Sequence, residues 1–215
     1  MRKFLLMISA AALITAATAR ADSLVTTRPA GTDSVNWSQL GPNFTSIPNP
    51  FSFVTTAGVA GTGSYQNGGG AQVREQPNGF SGNFTQGDYL NWTDNSGPLT
   101  LKFAQGYTQI GAQIQTDYFG AFTAQICDSN GCVTESGSST SGNDGSAIYL
   151  GIESGLPINW VTFSMTSAPS NPNDFAINQV TLGGGAPPVP EPSSLLLLGT
   201  GLVGLVGALR RKFAL

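Results

Sequence analysis

Leu99-Thr100-Leu101-Lys102-Phe103 is the stretch whose reading decides the fold. Leu99, Leu101 and Phe103 take alternate positions, and Thr100 and Lys102 take those between. A period of two puts one face in a core and the other in water, as in a half-buried strand. Moving outward, Ile110, Ala112 and Ile114 repeat the pattern, and so do Phe122, Ala124 and Ile126. Further on, Val161, Phe163 and Met165 point one way while Trp160, Thr162 and Ser164 point the other. Phe175 and Ile177 lead a last strand, but Val180 and Leu182 fall on the opposite phase, so a bulge is expected near Asn178-Gln179. On the N-terminal side, residues 35–40 (Val35 to Leu40) read as a strand ending at Gly41-Pro42-Asn43, and residues 51–56 as a second. Residues 58–70 are Gly-rich, with a turn at Asn67-Gly68-Gly69-Gly70, and strands are expected over 71–75 and 88–92. The body has no sustained 3.6-residue apolar period. Ten to twelve short strands are too many for one open sheet and natural for two packed ones, so the expectation is an all-β, two-sheet antiparallel β-sandwich.

The two ends of the 215-residue chain read differently. Arg2 and Lys3 precede an apolar stretch from Phe4 to Ala19, and Ala19-Arg20-Ala21 fits the small-x-small rule for signal cleavage. Residues 1–21 are therefore expected to be a signal helix, with the mature chain starting near Asp22. At the other end, Pro187-Pro188-Val189-Pro190-Glu191-Pro192 leads into the apolar run 193–209 and then Arg210-Arg211-Lys212. Seventeen residues of helix span roughly 25 Å, just enough for a thin bilayer. The basic triplet is expected to stay cytoplasmic as a stop-transfer signal, leaving the body on the outer side. The expected organisation is thus a signal peptide (1–21), a sandwich domain (22–185), a Pro-rich linker (186–192), a transmembrane helix (193–209) and a basic tail (210–215).

The order Val189-Pro190-Glu191-Pro192-Ser193, Leu/Gly-rich helix and terminal Arg-Arg-Lys resembles the PEP-CTERM sorting signal of Gram-negative bacteria. That resemblance implies recognition of Pro190, Glu191 and Pro192 by an exosortase, a membrane-embedded cysteine transpeptidase. Cleavage there would free the body from its inner-membrane helix and deliver it to the cell surface or extracellular matrix. A permanent C-terminal anchor is the alternative. Along the body, Val35-Asn36-Trp37-Ser38-Gln39-Leu40-Gly41, Gly97-Pro98-Leu99-Thr100-Leu101, Gly111-Ala112-Gln113-Ile114-Gln115, Gly120-Ala121-Phe122-Thr123-Ala124, Asn143-Asp144-Gly145-Ser146-Ala147 and Asn173-Asp174-Phe175-Ala176-Ile177-Asn178 look like segments of secreted PEP-CTERM proteins. Those proteins have a jelly-roll body like a carbohydrate-binding module. The resemblance implies a jelly-roll fold and makes extracellular polysaccharide a candidate partner, with no catalytic residue to carry over.

Charge and composition narrow the functions. Over 22–192 there are twelve acidic residues against Arg28, Arg74 and Lys102, a net of −9. Such a surface excludes nucleic-acid binding, which needs a basic footprint. The chain has no histidine. That removes Ser-His-Asp and Cys-His triads and imidazole metal sites. Glu75, Glu135 and Glu153 form no visible acid/base pair, so a non-catalytic role is expected. A jelly-roll glycan hydrolase or lyase is the rival reading, to be revived by two carboxylates sharing a cleft. A purely structural matrix protein is the third.

Cys127 and Cys132 bracket Asp128-Ser129-Asn130-Gly131, a sequence suited to a four-residue hairpin loop. Such a loop sets the cysteines opposite each other, and export favours their oxidation, so a structural disulfide is expected. No cofactor is expected; Asp144 and Asp174 are weak Ca²⁺ candidates, since they sit in Asn/Gly-rich turns without an Asp-x-Asp-x-Asp run. Trp37, Trp92, Trp160, Tyr89, Tyr107, Tyr118 and Tyr149 are candidates for sugar stacking, with core burial the alternative for most. Asn36, Asn43, Asn83 and Asn91 match Asn-x-Ser/Thr, read as an accident of Asn/Thr-rich strands.

Overall fold

The structure, a computed structural model, describes residues 22–29 and 33–185. The expected signal helix, Pro-rich linker, transmembrane helix and basic tail all lie outside the described residues. Within them the chain forms twelve strands and one short 3-10 helix: β1 (Ser23–Val25), β2 (Asp33–Val35), the helix (Trp37–Leu40), β3 (Phe51–Val54), β4 (Ala60–Tyr65), β5 (Gln72–Glu75), β6 (Tyr89–Trp92), β7 (Leu99–Thr116), β8 (Gly120–Cys127), β9 (Cys132–Ser139), β10 (Tyr149–Ser167), β11 (Phe175–Ile177) and β12 (Val180–Gly185). All pairings are antiparallel.

Two long strands, β7 and β10, organise everything else. They pair along almost their whole length, from Phe163↔Leu99 to Tyr149↔Gln113. Their outer halves take different neighbours. Residues 99–103 of β7 and 160–163 of β10 sit in the row β3-β4-β7-β10-β8-β9. Residues 107–113 of β7 and 149–153 of β10 lie between β12, with β2 beyond it, and β1. The far end of β7 joins β11, β6 and β5. The ladder slips its register on both sides of Ile158, and Pro157 lies against Gly106 there. Such irregularities are where strands turn a corner from one layer to the next.

Alternation places the core as expected. Leu99, Leu101, Ile110, Ile114, Ile126, Val161, Phe163, Phe175 and Val180 are all fully buried. At an area term of about 25 cal/mol per Å² each such side chain stabilises the fold by roughly 1.5–3 kcal/mol. Asn178 and Gln179 interrupt the last strand as expected, and the interruption moves the chain from β11 to β12. Asn178 is buried and fully used: it donates to Asp88 and Gln113 and accepts from the Gln113 N–H, while its carbonyl accepts from the Trp37 indole at 2.8 Å.

Two sequence expectations are corrected. The strand expected over 35–40 stops at Val35, and residues 37–40 turn into the 3-10 helix. Asn36 is the reason: its backbone is extended and its side-chain Oδ1 accepts the Ser38 N–H at 2.9 Å, an N-cap that starts a helical turn. The Gly-rich stretch 58–70, in which only a turn was expected, contains β4. Its inward positions are Gly61, Gly63 and Tyr65, and a Cβ at either glycine would overlap the rings of Phe53 and Phe51 from the paired strand. The aromatic rings fill the core space that a side chain on β4 would otherwise take.

Candidate functional site

The outward face of the row β3-β4-β7-β10-β8-β9 follows directly from alternation. Every residue between two core positions points out. Register lines these residues up across strands, as Ser64, Thr100, Thr162 and then the Cys127–Cys132 bridge, and as Ser164, Gln125 and Thr134. At about 4.8 Å per strand the first row is roughly 20 Å wide. Hydroxyls bond across it: Thr100 and Thr162 at 2.8 Å, Thr123 and Ser136 at 3.0 Å. Lys102 is the one charged residue at these outward positions of the six strands, in a body of net charge −9. Trp160 is directly opposite Lys102, with Thr62 on its other side. A shallow, mainly apolar cavity of about 440 Å³, bordered by Phe53, Val54, Ala60, Thr62, Lys102 and Phe103, lies beside Lys102. The face therefore offers hydroxyl donors and acceptors, one half-exposed indole, one cation and the exposed side chain of Val54.

A second cluster gathers around Arg74. Its guanidinium lies 4.5 Å from the Phe44 ring centre and 4.3 Å from that of Trp92, a cation held between two π faces. Burial pulls the guanidinium's affinity for its proton down, while the charges of Asp94 and Asp117 act the other way. The Trp92 indole donates to Asp174 Oδ1 at 2.8 Å, and the Asp117 N–H donates to the Asp174 carbonyl at 3.2 Å. Burial first, and the neighbouring Asp117 second, push the Asp174 carboxyl up to about 6. Asp117 is also raised by burial, against the pull of Arg74. Asp174 is only 2% exposed, so this carboxyl is committed to the interior.

The other sequence candidates scatter. Trp37, Tyr107 and Tyr149 are buried: the Tyr107 hydroxyl donates to Asp33 at 2.7 Å, and the Tyr149 hydroxyl pairs with that of Thr181. Tyr118 is exposed at the β7–β8 turn, and Tyr89 packs partly against the core. Asp144 accepts from the Ser146 N–H and hydroxyl. Among the described residues no group of three or more acidic, Cys or His side chains is placed to hold a metal ion, and Asp144 and Asp174 stand apart with internal partners. The disulfide is present, with Asp128 Oδ1 accepting the Asn130 and Gly131 N–H groups in its loop. A polar cleft of about 400 Å³ lies among Arg28, Thr85, Asp88, Gln113 and Tyr149, but Gln113 and Tyr149 are already bonded internally. Sequence reasoning singled out Trp160 as facing away from the core; it missed the Lys102 pairing and the Arg74 cluster, for which no local signal exists.

The fold defines an all-β sandwich, followed in the sequence by a C-terminal segment of a different kind. Residues 188–212 of that segment match the PEP-CTERM protein-sorting motif. The motif implies export, processing by an exosortase and surface anchoring through the C-terminus. No curated protein and no solved structure matches the chain. Among the described residues no helix is long and apolar enough to cross a membrane.

Proposed function

We propose that this exosortase-sorted surface protein is non-catalytic and holds extracellular polysaccharide against the outward face of β3-β4-β7-β10-β8-β9. The observation that carries the reading is the Trp160–Lys102 pair on a face rich in hydroxyls, with Lys102 also bordering the cavity. A pyranose ring packs on an indole face, and Ser/Thr hydroxyls exchange hydrogen bonds with sugar hydroxyls. Against turnover stands the state of the carboxylates: Asp174, the most perturbed, is buried under Trp92 rather than open to a glycosidic oxygen. A purely structural role in the matrix is the competing reading, favoured by there being one aromatic on the face rather than a row of them.

Two measurements test the proposal. Intact mass of the protein released from its host, with and without the exosortase, reads the processing step. A body ending near Pro192 only when the enzyme is present supports sorting; a full-length chain in both strains refutes it. Affinity electrophoresis in the host's own exopolysaccharide reads the face. The released protein should be retarded, and Trp160→Ala should lose at least about fivefold in affinity, the order expected when one stacking aromatic is removed. Equal mobility of protein and variant in all polysaccharides would favour the structural role.

A further inference from the structure

The margins of the sheets are treated unequally. At the free edge of β3, the Gln39 side chain bonds both backbone groups of Val54, accepting its N–H at 2.7 Å and donating to its carbonyl at 3.1 Å. The free edge of β5 is covered by residues 44–47: Phe44 N–H reaches the Val73 carbonyl, Val73 N–H the Thr45 carbonyl, and Ile47 N–H the Ala71 carbonyl, each at 2.8 Å. The edge of β2 receives the Thr56 N–H at Ser34. The remaining margins are β1, only three residues long, and β9, which is eight. Among the described residues β9 pairs with β8 alone. Long open edges are templates for pairing with another chain, and proteins normally blunt them with charge, proline or cover. β9 carries no proline and one charge, Glu135.

We propose that β9 pairs antiparallel with β9 of a second copy of this chain, joining two outward faces into one continuous hydroxyl-bearing sheet. Three features favour a second copy over a foreign strand. The pairing is isologous, so one edge is its own complement. A two-fold axis through Ser136 sets Thr134 opposite the partner's Ser138, which lets hydroxyls bond across the junction as Thr123 and Ser136 already do within the chain. The same register sets Glu135 opposite the partner's Gly137, so the one charge on each edge does not meet its like. The Cys127–Cys132 bridge and the direct pairing of all eight residues hold the hairpin in shape before any partner arrives. Chains tethered side by side at a surface raise the effective concentration for so small a contact.

The test uses the processed protein released from its host and the same protein on the cell surface. Sedimentation velocity of the released protein should show the mass doubling as concentration rises. Ser136→Lys combined with Ser138→Lys sets like charges across the junction without touching the core, and should leave a folded monomer by circular dichroism. On cells, Ser136→Cys should give a reducible band at twice the mass, at least fivefold stronger than from Thr62→Cys on the same face. A protein that stays monomeric at every concentration with no such band overturns the proposal. So does a dimer that survives the double lysine variant, since it would pair elsewhere.

Discussion

Replacing Asp174 by Asn should remove a pH dependence that the wild-type fold carries. The carboxyl is 2% exposed, accepts the Trp92 indole N–H at 2.8 Å, and shares its surroundings with Asp117. Burial and the Asp117 charge raise it from an ordinary 3.8 to about 6. A raised carboxyl pKa means the folded state holds the proton more tightly than the unfolded one. The stabilisation from that proton is complete below 3.8 and is lost as pH rises through about 6. The difference of roughly two pKa units corresponds to at most about 3 kcal/mol. Asparagine keeps an oxygen for the indole and never ionises. Urea unfolding of the processed protein at about pH 4 and about pH 7 should therefore show wild type losing stability relative to Asp174→Asn across that interval, by up to about 3 kcal/mol. The variant is expected to be the less stable near pH 4, because its amide meets the Asn95 N–H that the carboxyl accepts. Parallel profiles for the two proteins would refute the reasoning.

Other expectations follow from single contacts. Asn178→Ala removes three side-chain bonds at the crossing from β11 to β12 and strands the Gln113 N–H; it should destabilise by about 2–4 kcal/mol in urea unfolding. Cys127→Ser with Cys132→Ser opens a six-residue loop and should cost about 2 kcal/mol on the loop-entropy scale, read by the same assay with and without reductant. Gly63→Val drives a side chain into the Phe51 ring; it should lower Tm by more than about 10 °C, or abolish export of folded protein. Asp33 responds to pH with the opposite sign to Asp174. Burial pushes its carboxyl up, but the Tyr107 hydroxyl and the Ala57, Thr55 and Thr56 donors outweigh that and hold it low, so its contribution is present near neutrality and fades in acid. Tyr107→Phe should shrink that acid-side loss.

What the chain revealed in advance depended on how local the physics was. β7, β8 and β10 were legible because each has one face in the core and one in water, so Leu99, Phe122 and Phe163 sit at alternate positions with polar residues between. The disulfide was legible because five residues of spacing and a turn sequence are a local statement. β4 was not: two of its three inward residues are Gly61 and Gly63, and the side chains that fill the core space beside them belong to β3. The turn at Trp37 was hidden because Val35, Trp37 and the alternation around them also suit a strand, and only the Asn36 cap decides otherwise. The Arg74 cluster joins residues from positions 44, 74, 92, 94, 117 and 174, and no periodicity reports contacts at such separations. Trp160 was recognised as outward-facing, but its opposition to Lys102 needed the register of β7 against β10.

The position of β12 has a mechanical consequence. Its last residue, Gly185, pairs with Tyr107, and the strand runs between β2 and β7. The sorting segment that tethers the protein follows within a few residues. Drag on an anchored body therefore enters along the axis of a strand clamped on both sides, so its bonds are loaded in shear together rather than peeled one by one. β7 takes up that load and passes it to β4, β10 and β11, with which it also pairs. The domain is thus towed by a strand held between two neighbours rather than by a free edge.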